Sequence, residues 1–415
     1  LQIDSRRTRM PTDSQHHSTS SRLDAWTIFL VFLRLGLTSF GGPIAHLGYF
    51  RDEFVQRRRW LDERSYADLV ALCQFLPGPA SSQVGLAIGL LRGGYRGSLA
   101  AWAGFTLPSA IALTLFALGI ATWGDALPDG VLQGLKIVAV AVVAQAVWGM
   151  ARTLCTDAPR IAIALAAAST VLLLPFIWSQ VAVIAAAGLI GLIVFRPVTT
   201  EAHVALPVAV KRRAALAALA LFFALLMLLP LLASGTDNPL LALLDAFYRA
   251  GALVFGGGHV VLPLLQAEVV QPGWVDRDTF LAGYGAAQAV PGPLFTFAAF
   301  LGASMNESPS GLLGAAVCLV AVFVPSFLLV IGVLPFWERL RSNRRTQAAL
   351  AAVNAAVVGL LLAALYDPVW TSGIKAPEHF VLALLALAAL MYWKLPPWLV
   401  VIGGAVGGGL IGLTG

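Results

Sequence analysis

Apolar runs of roughly 18 to 25 residues follow one another along nearly the whole chain, separated by short polar loops. Helices of that length match the ~30 Å hydrocarbon core of a bilayer at a rise of about 1.5 Å per residue. About thirteen such segments can be marked along the sequence. The pattern predicts an all-α, polytopic membrane protein with no large soluble domain. The runs are not uniform, however. Residues 32 to 46 read FLRLGLTSFGGPIAH, an apolar helical stretch that carries Arg34 and is then broken by Gly41, Gly42 and Pro43.

The same interruption returns in the second half, where residues 247 to 257 read FYRAGALVFGG. Phe32, Arg34, Gly36, Phe40, Gly41 and Gly42 match Phe247, Arg249, Gly251, Phe255, Gly256 and Gly257 at an offset of 215. The next block repeats as well. Trp60, Asp62, Gln74, Pro77, Gly78 and Pro79 match Trp274, Asp276, Gln288, Pro291, Gly292 and Pro293 at an offset of 214. Such self-similarity marks a duplication. The first six segments resemble the last six in order, and the seventh joins them; one extra crossing between equivalent halves turns the second over relative to the first. The expected organisation is a disordered cytoplasmic tail over 1–22, a first repeat over 23–198, a linker with a joining transmembrane helix over 199–238, and an inverted second repeat over 239–415. Inverted repeats are a transporter architecture whose site lies near the midplane between the halves.

Loop charge tests this arrangement. With every segment crossing and the N-terminus cytoplasmic, most basic loops fall inside, as the positive-inside bias requires. Two loops fail. The basic 51–65 loop, with Arg51, Arg57, Arg58, Arg59 and Arg64, lands outside, and the acidic 267–278 loop lands inside. The conflict disappears if the FGG and PGP segments are re-entrant, broken hairpins that enter and leave on one face of the membrane.

The chain is 59% hydrophobic and 12% charged, with a net charge of +6. Because the basic residues sit in short loops rather than on one face, they point to membrane orientation and not to nucleic acid. Cys73, Cys155 and Cys318 show no metal-ligand spacing. No nucleotide-binding loop, metal cluster or nucleophile with its base is recognisable, so neither an enzyme nor a cofactor is expected.

Candidate chemistry lies at the breaks. Proline has no amide hydrogen and glycine weakens a helix, so PGP in an apolar segment leaves backbone groups to be satisfied by protein or by a water-filled cavity. Half-helix N-termini there offer free amides to an anion. The candidate substrate contacts are Ser39, Phe40, Gly41 and Gly42 with Pro77, Gly78 and Pro79, and in the second half Phe255, Gly256 and Gly257 with Pro291, Gly292 and Pro293. Arg34 and Arg249 join them, since an arginine inside a membrane costs at least about 2.5 kcal/mol and is normally paired, cavity-facing or functional; snorkelling or carbonyl capping is the structural alternative. No carboxylate in the apolar segments stands out as their partner, and Asp68 and Glu268 read as solvated residues near segment ends. Gln74 and Gln288 serve either substrate oxygens or broken backbone. Ser81, Ser82 and Thr296 are weaker hydroxyl candidates, and Pro108–Ser109 and Pro325–Ser326 read as helix kinks. His46 and His259 follow the two FGG tips and are candidates for proton coupling.

The stretches FLRLGLTSFGGPIAHLGYFRDEFV and CQFLPGPASSQ, with YRAGALVFGGGHVVLPLL and AQAVPGPLFTFAAFLG, resemble the chromate transporter family in its long, two-domain bacterial form. The resemblance covers about residues 25 to 410. It implies chromate efflux across the bacterial inner membrane giving chromate resistance, with sulfate as the structural competitor and the lipid bilayer as surroundings. Gly258 replaces Pro43 in the second half, so the two tips need not be equivalent. An oxyanion importer and a passive anion channel share the same residues and stay open at this point. So does packing within one chain or across a homodimer.

Overall fold

The computed structural model describes residues 23–123, 129–174, 179–195, 210–255 and 257–414. The tail over 1–22, the linker up to residue 209 and Gly256 lie outside them. Among the described residues every regular element is helical. In the first half these are α1 (Ala25–Thr38), α2 (Gly42–Arg51), α3 (Glu63–Phe75), α4 (Ala80–Trp123), α5 (Asp129–Leu154), α6 (Ala158–Leu173) and α7 (Ser179–Val194). The joining helix is α8 (Arg212–Ser234). The second half contains α9 (Pro239–Leu253), α10 (Val261–Val269), α11 (Arg277–Ala287), α12 (Phe297–Ala303), α13 (Gly311–Val333), α14 (Trp337–Arg341), α15 (Arg344–Ala364), α16 (Thr371–Gly373), α17 (Pro377–Met391) and α18 (Pro397–Thr414). Five helical stretches are long and apolar enough to cross a membrane, and the first of them runs from Ala80 to Thr122.

That first stretch is two arms. Gly94 has φ 64° and ψ −156°, a conformation open to glycine and closed to most other residues. The chain reverses there, so that a Cβ on Gly89 would stand 2.4 Å from the Gly97 carbonyl oxygen and Ser98 donates to the Leu86 carbonyl at 2.9 Å. The long arm from Tyr95 to Trp123 is the crossing helix.

Helix breaks turn the remaining pieces into hairpins. α1 and α2 meet at the FGG tip. Their outer ends return to one place, where the Leu23 amide donates to the Arg92 carbonyl at 2.9 Å and the guanidinium groups of Arg58 and Arg92 lie 5.6 and 6.0 Å from the centre of the Trp60 ring. α3 and the short arm of α4 form a second hairpin around Pro77–Gly78–Pro79. The second half repeats both. There the Asn306 amide donates to the Trp274 carbonyl at 2.9 Å, beside Asp237, Pro239 and Glu307.

Close helix crossings are built on small residues, as lipid-embedded packing favours. Gly36 of α1 lies against the Gly104 carbonyl of α4, and Gly251 of α9 against the Val322 carbonyl of α13, the same crossing in each repeat. The halves also exchange elements. α5 packs on α17 and α18 of the second half, and α15 packs on α6 and α7 of the first; Gly134 meets Gly404, and Gly359 meets Ala164, at backbone contact. The sequence repeats are therefore interleaved, and the largest core cluster draws on both.

Candidate anion site

Each PGP tip reaches across to the FGG tip of the other half. The Gly78 amide donates to the Val254 carbonyl at 2.6 Å, and the Gly292 amide to the Ser39 carbonyl at 2.9 Å. Residues 78 and 292 are equivalent, as are 39 and 254, so the bonds form a reciprocal pair. Both glycines need positive φ, 121° at Gly78 and 101° at Gly292. Side chains would also intrude on the opposite half: a Cβ would sit 2.9 Å from Ser326 Oγ at Gly78 and 2.9 Å from Ser109 Oγ at Gly292. Ser109 and Ser326, read from sequence as kink residues, thus mark the places where the PGP tips dock.

The two FGG tips and the second PGP tip line a cavity of about 60 Å³, with Gly41, Gly42 and Pro43 of the first half and His259, Gln288 and Gly292 of the second in its wall; Pro77, Gly78 and Pro79 of the first PGP tip are not among its lining residues. That is more than the ~10–15 Å³ a single water needs, so the cavity has room for a small polar ligand. Gln145 of α5 also lines it, a residue that sequence reasoning missed because its segment reads as an uninterrupted span. The Gln288 side-chain nitrogen is buried without a protein partner, as are the hydroxyls of Ser39, Ser82, Thr106 and Ser326. These polar groups retain unused hydrogen-bonding capacity beside the broken backbone.

The two halves treat matched candidates differently. Gln288 faces the cavity, whereas Gln74 is exposed. Phe40 packs near Trp398, with ring centres 6.5 Å apart, and Phe255 packs against the main core. Pro77 and Pro293 are bound within their own tips, their carbonyls accepting from Gln83 Nε2 at 2.6 Å and Thr296 Oγ1 at 2.7 Å; Pro79 and Pro291 flank the same turns. Gly257 lies near Met150 and Gly258 near Pro43, so the FGG tips touch.

His46 is buried with both ring nitrogens engaged, Nε2 lying 3.2 Å from the Ser39 carbonyl and Nδ1 3.4 Å from Ser81 Oγ. A carbonyl only accepts, so Nε2 carries the hydrogen and the neutral ring receives the Ser81 hydroxyl on Nδ1. His46 clamps the tip that accepts from Gly292. His259 faces the cavity and lies 2.8 Å from the Tyr284 hydroxyl.

The arginines depart from expectation. Arg249 is buried and forms 2.8 Å ion pairs with both Asp245 and Glu268. The sequence reading that no intramembrane carboxylate serves as partner is corrected here: Asp245 stands one turn before Arg249 on α9, and Glu268 returns to it on α10. Glu268 and Asp68 are not solvated ends either, since Glu268 is a member of that cluster and Asp68 is buried at 6% exposure. Arg34 lies on the exposed face of α1 with Trp26, Leu30 and Leu37. Among the residues lining the tip cavity neither arginine is present.

The profile of the chromate transporter family matches residues 26–192 and, a second time, residues 241–409. The chain belongs to the chromate transporter family. Among its curated relatives, a chromate transport protein of Pseudomonas aeruginosa is 30% identical over 395 residues, covering 92% of this chain and 91% of that protein. A probable chromate transport protein of Synechococcus elongatus is 29% identical over 401 residues, covering 88% of this chain and 94% of the relative. The uncharacterized transporter YwrA of Bacillus subtilis is 31% identical over 171 residues, which are 40% of this chain but 93% of that protein. No solved structure matches the chain.

Proposed function

We propose that this membrane protein carries chromate out of the cytoplasm through the cavity between the two FGG tips and the second PGP tip, and that this efflux confers chromate resistance. The observation that carries the reading is the reciprocal pair of amide bonds from Gly78 and Gly292, which draws broken backbone from both halves around one small polar cavity. Gly41, Gly42 and Gln288 present hydrogen-bond donors to the anion. The family and the chromate transport proteins among the relatives supply the substrate.

Support for the inverted arrangement comes from the long arm of α4. Leu23, Trp60 and Arg92 cluster at its start. Ile120 at its end shares a cavity with Asp278. At about 1.5 Å per residue the two ends are about 43 Å apart. Arg57, Arg58, Arg92 and Arg96 belong to the first face, and Asp237, Asp278 and Glu307 to the second. The basic face is cytoplasmic by the positive-inside bias, which puts Leu23 there and makes the FGG and PGP segments re-entrant.

Moving two negative charges out of a cell that is negative inside gains about 4.6 kcal/mol at ~100 mV. Proton exchange adds to this through His259, the histidine on the cavity. Everted vesicles bearing the protein accumulate chromate against its gradient, sulfate competes, and Gln288→Leu weakens uptake. Mere equilibration of chromate would favour a channel and sink the proposal. A pH gradient that steepens accumulation in the parent and not in His259→Asn carries the proton arm.

A further inference from the structure

A second, larger cavity of about 440 Å³ opens beside the first residues of α5 and α11, with Lys136, Asp278, Lys375 and His379 in its wall. Lys136 is 94% buried by its 6% exposure, and its ammonium lies 3.1 Å from an Asp278 carboxylate oxygen, while the Asp278 side chain is 58% exposed. The partners are unequal. Water can solvate Asp278 when the pair opens, but Lys136 then needs another anion, because an uncompensated buried charge is costly.

The same two helices line the tip cavity. α5 contributes Lys136 to the outer cavity and Gln145 to the inner one; α11 contributes Asp278 and Gln288. Nine or ten residues of helix set each pair about 14 Å apart along its axis. Lys375 adds a second positive charge to the wall from the second half, and the His379 ring beside it accepts the Lys375 amide on Nδ1 at 3.3 Å. The packed α5–α11 pair therefore lies between a chamber on the acidic-loop face and the inner polar cavity, with Gly285 against the Leu135 carbonyl between the two.

We infer that this chamber is a separate binding site for a tetrahedral dianion, in which Lys136 exchanges its Asp278 partner for the anion. Its ligand class rests on the transport reading above, but its test does not require transport. With Cys155→Ser as background, Thr279→Cys in the chamber wall is labelled by anionic and cationic methanethiosulfonate reagents in vesicles of phosphatidylcholine alone. Sulfate serves as the competing dianion, since chromate oxidises thiols.

The anionic reagent reacts about tenfold faster than the cationic one, as a focused positive potential dictates, and sulfate protects the thiol. Lys136→Gln removes both the preference and the protection; Asp278→Asn strengthens both. A purely structural Lys136–Asp278 pair also lets the two substitutions shift the charge preference, because each changes the local charge, but it predicts no sulfate protection; folding of each variant is checked by its monodispersity. Absence of charge preference or sulfate protection overturns the inference, as does an unchanged result in Lys136→Gln. Protection that needs anionic lipid identifies a headgroup site and also overturns it. Failure of chromate accumulation in everted vesicles would instead strike the proposed function and leave a positive labelling result standing.

Discussion

The two FGG hairpins carry the same arginine and the same acidic residue and wire them differently. Arg34 and Glu53 are equivalent to Arg249 and Glu268 at the constant offset of 215. In the second hairpin Glu268 pairs with Arg249, joined by Asp245. In the first, Glu53 turns to the loop that follows and binds Arg57 at 2.9 Å and Arg58 at 2.6 Å. Two local changes account for this. Leu30 stands where the second half has Asp245, and the Gln56–Arg57–Arg58–Arg59 loop is replaced by Gln271–Pro272–Gly273. Without loop arginines, Glu268 takes Arg249 as its ion-pair partner. A duplicated sequence has thus become asymmetric by moving one ion pair from the membrane arm to the loop.

The largest effect is expected at Arg249. Replacing it by leucine leaves Asp245 and Glu268 buried beside one another, and loss of one partner from a buried ionic cluster costs about 3–5 kcal/mol. Arg249→Leu should therefore lose most folded protein, read as yield and thermal melting in detergent, and chromate accumulation with it. The sharper version is Arg249→Leu combined with Asp245→Leu and Glu268→Gln, which should recover folding if the cluster is structural. Folding recovered together with full transport would show that the cluster contributes stability alone.

The crossed amide bonds come next. Gly78→Ala and Gly292→Ala place a Cβ at positive φ, which costs on the order of 1–3 kcal/mol, and each pushes against a serine of the opposite half. Transport in vesicles should fall in both variants, with comparable loss if the halves contribute equally to the cavity. Because Gln288 faces that cavity and Gln74 does not, Gln288→Leu should lower transport while Gln74→Leu changes it little. Equal losses in the two glutamine variants would break the comparison.

The repeat itself was legible in the sequence, because FGG and PGP are helix-breaking signals at fixed spacing and need no tertiary information. The all-α architecture followed from apolar run length. The ion pairs were only half legible. Asp245 at one helical turn from Arg249, and Glu53 matching Glu268, both lie in the sequence, but treating acidic residues near segment ends as solvated hid them. Lys136 was missed for a related reason, since a single charge in a long apolar run does not reveal that Asp278, 142 positions away, reaches it. The reciprocal bonds between tips were beyond sequence reasoning: they join backbone groups, which carry no residue-specific signal, across more than 170 positions.

At Glu53 the effect should be smaller than at Glu268. The Glu53 pairs involve Arg57 and Arg58, whose side chains are 54% and 30% exposed, so solvent screens much of the interaction. Glu53→Gln should cost about 1 kcal/mol or less of stability and leave chromate transport near the parent level. If instead transport falls while melting is unchanged, the basic loop does more than hold the hairpin end.

The smallest effect is expected at Arg34, the residue that looked most like its twin. It lies on the exposed face of α1 between Leu30 and Leu37. Long side chains at such sites snorkel, the guanidinium extending toward the interface and the stem lying along the apolar face. Removing it takes away a charge that membrane insertion disfavours and no contact to the tip cavity. Arg34→Gln should therefore shift stability by no more than about 0.5 kcal/mol and leave the vesicle transport rate close to that of the parent. A large loss of transport at unchanged stability would place Arg34 in contact with the anion during the cycle, and the asymmetry between the hairpins would then belong to one conformation rather than to the protein.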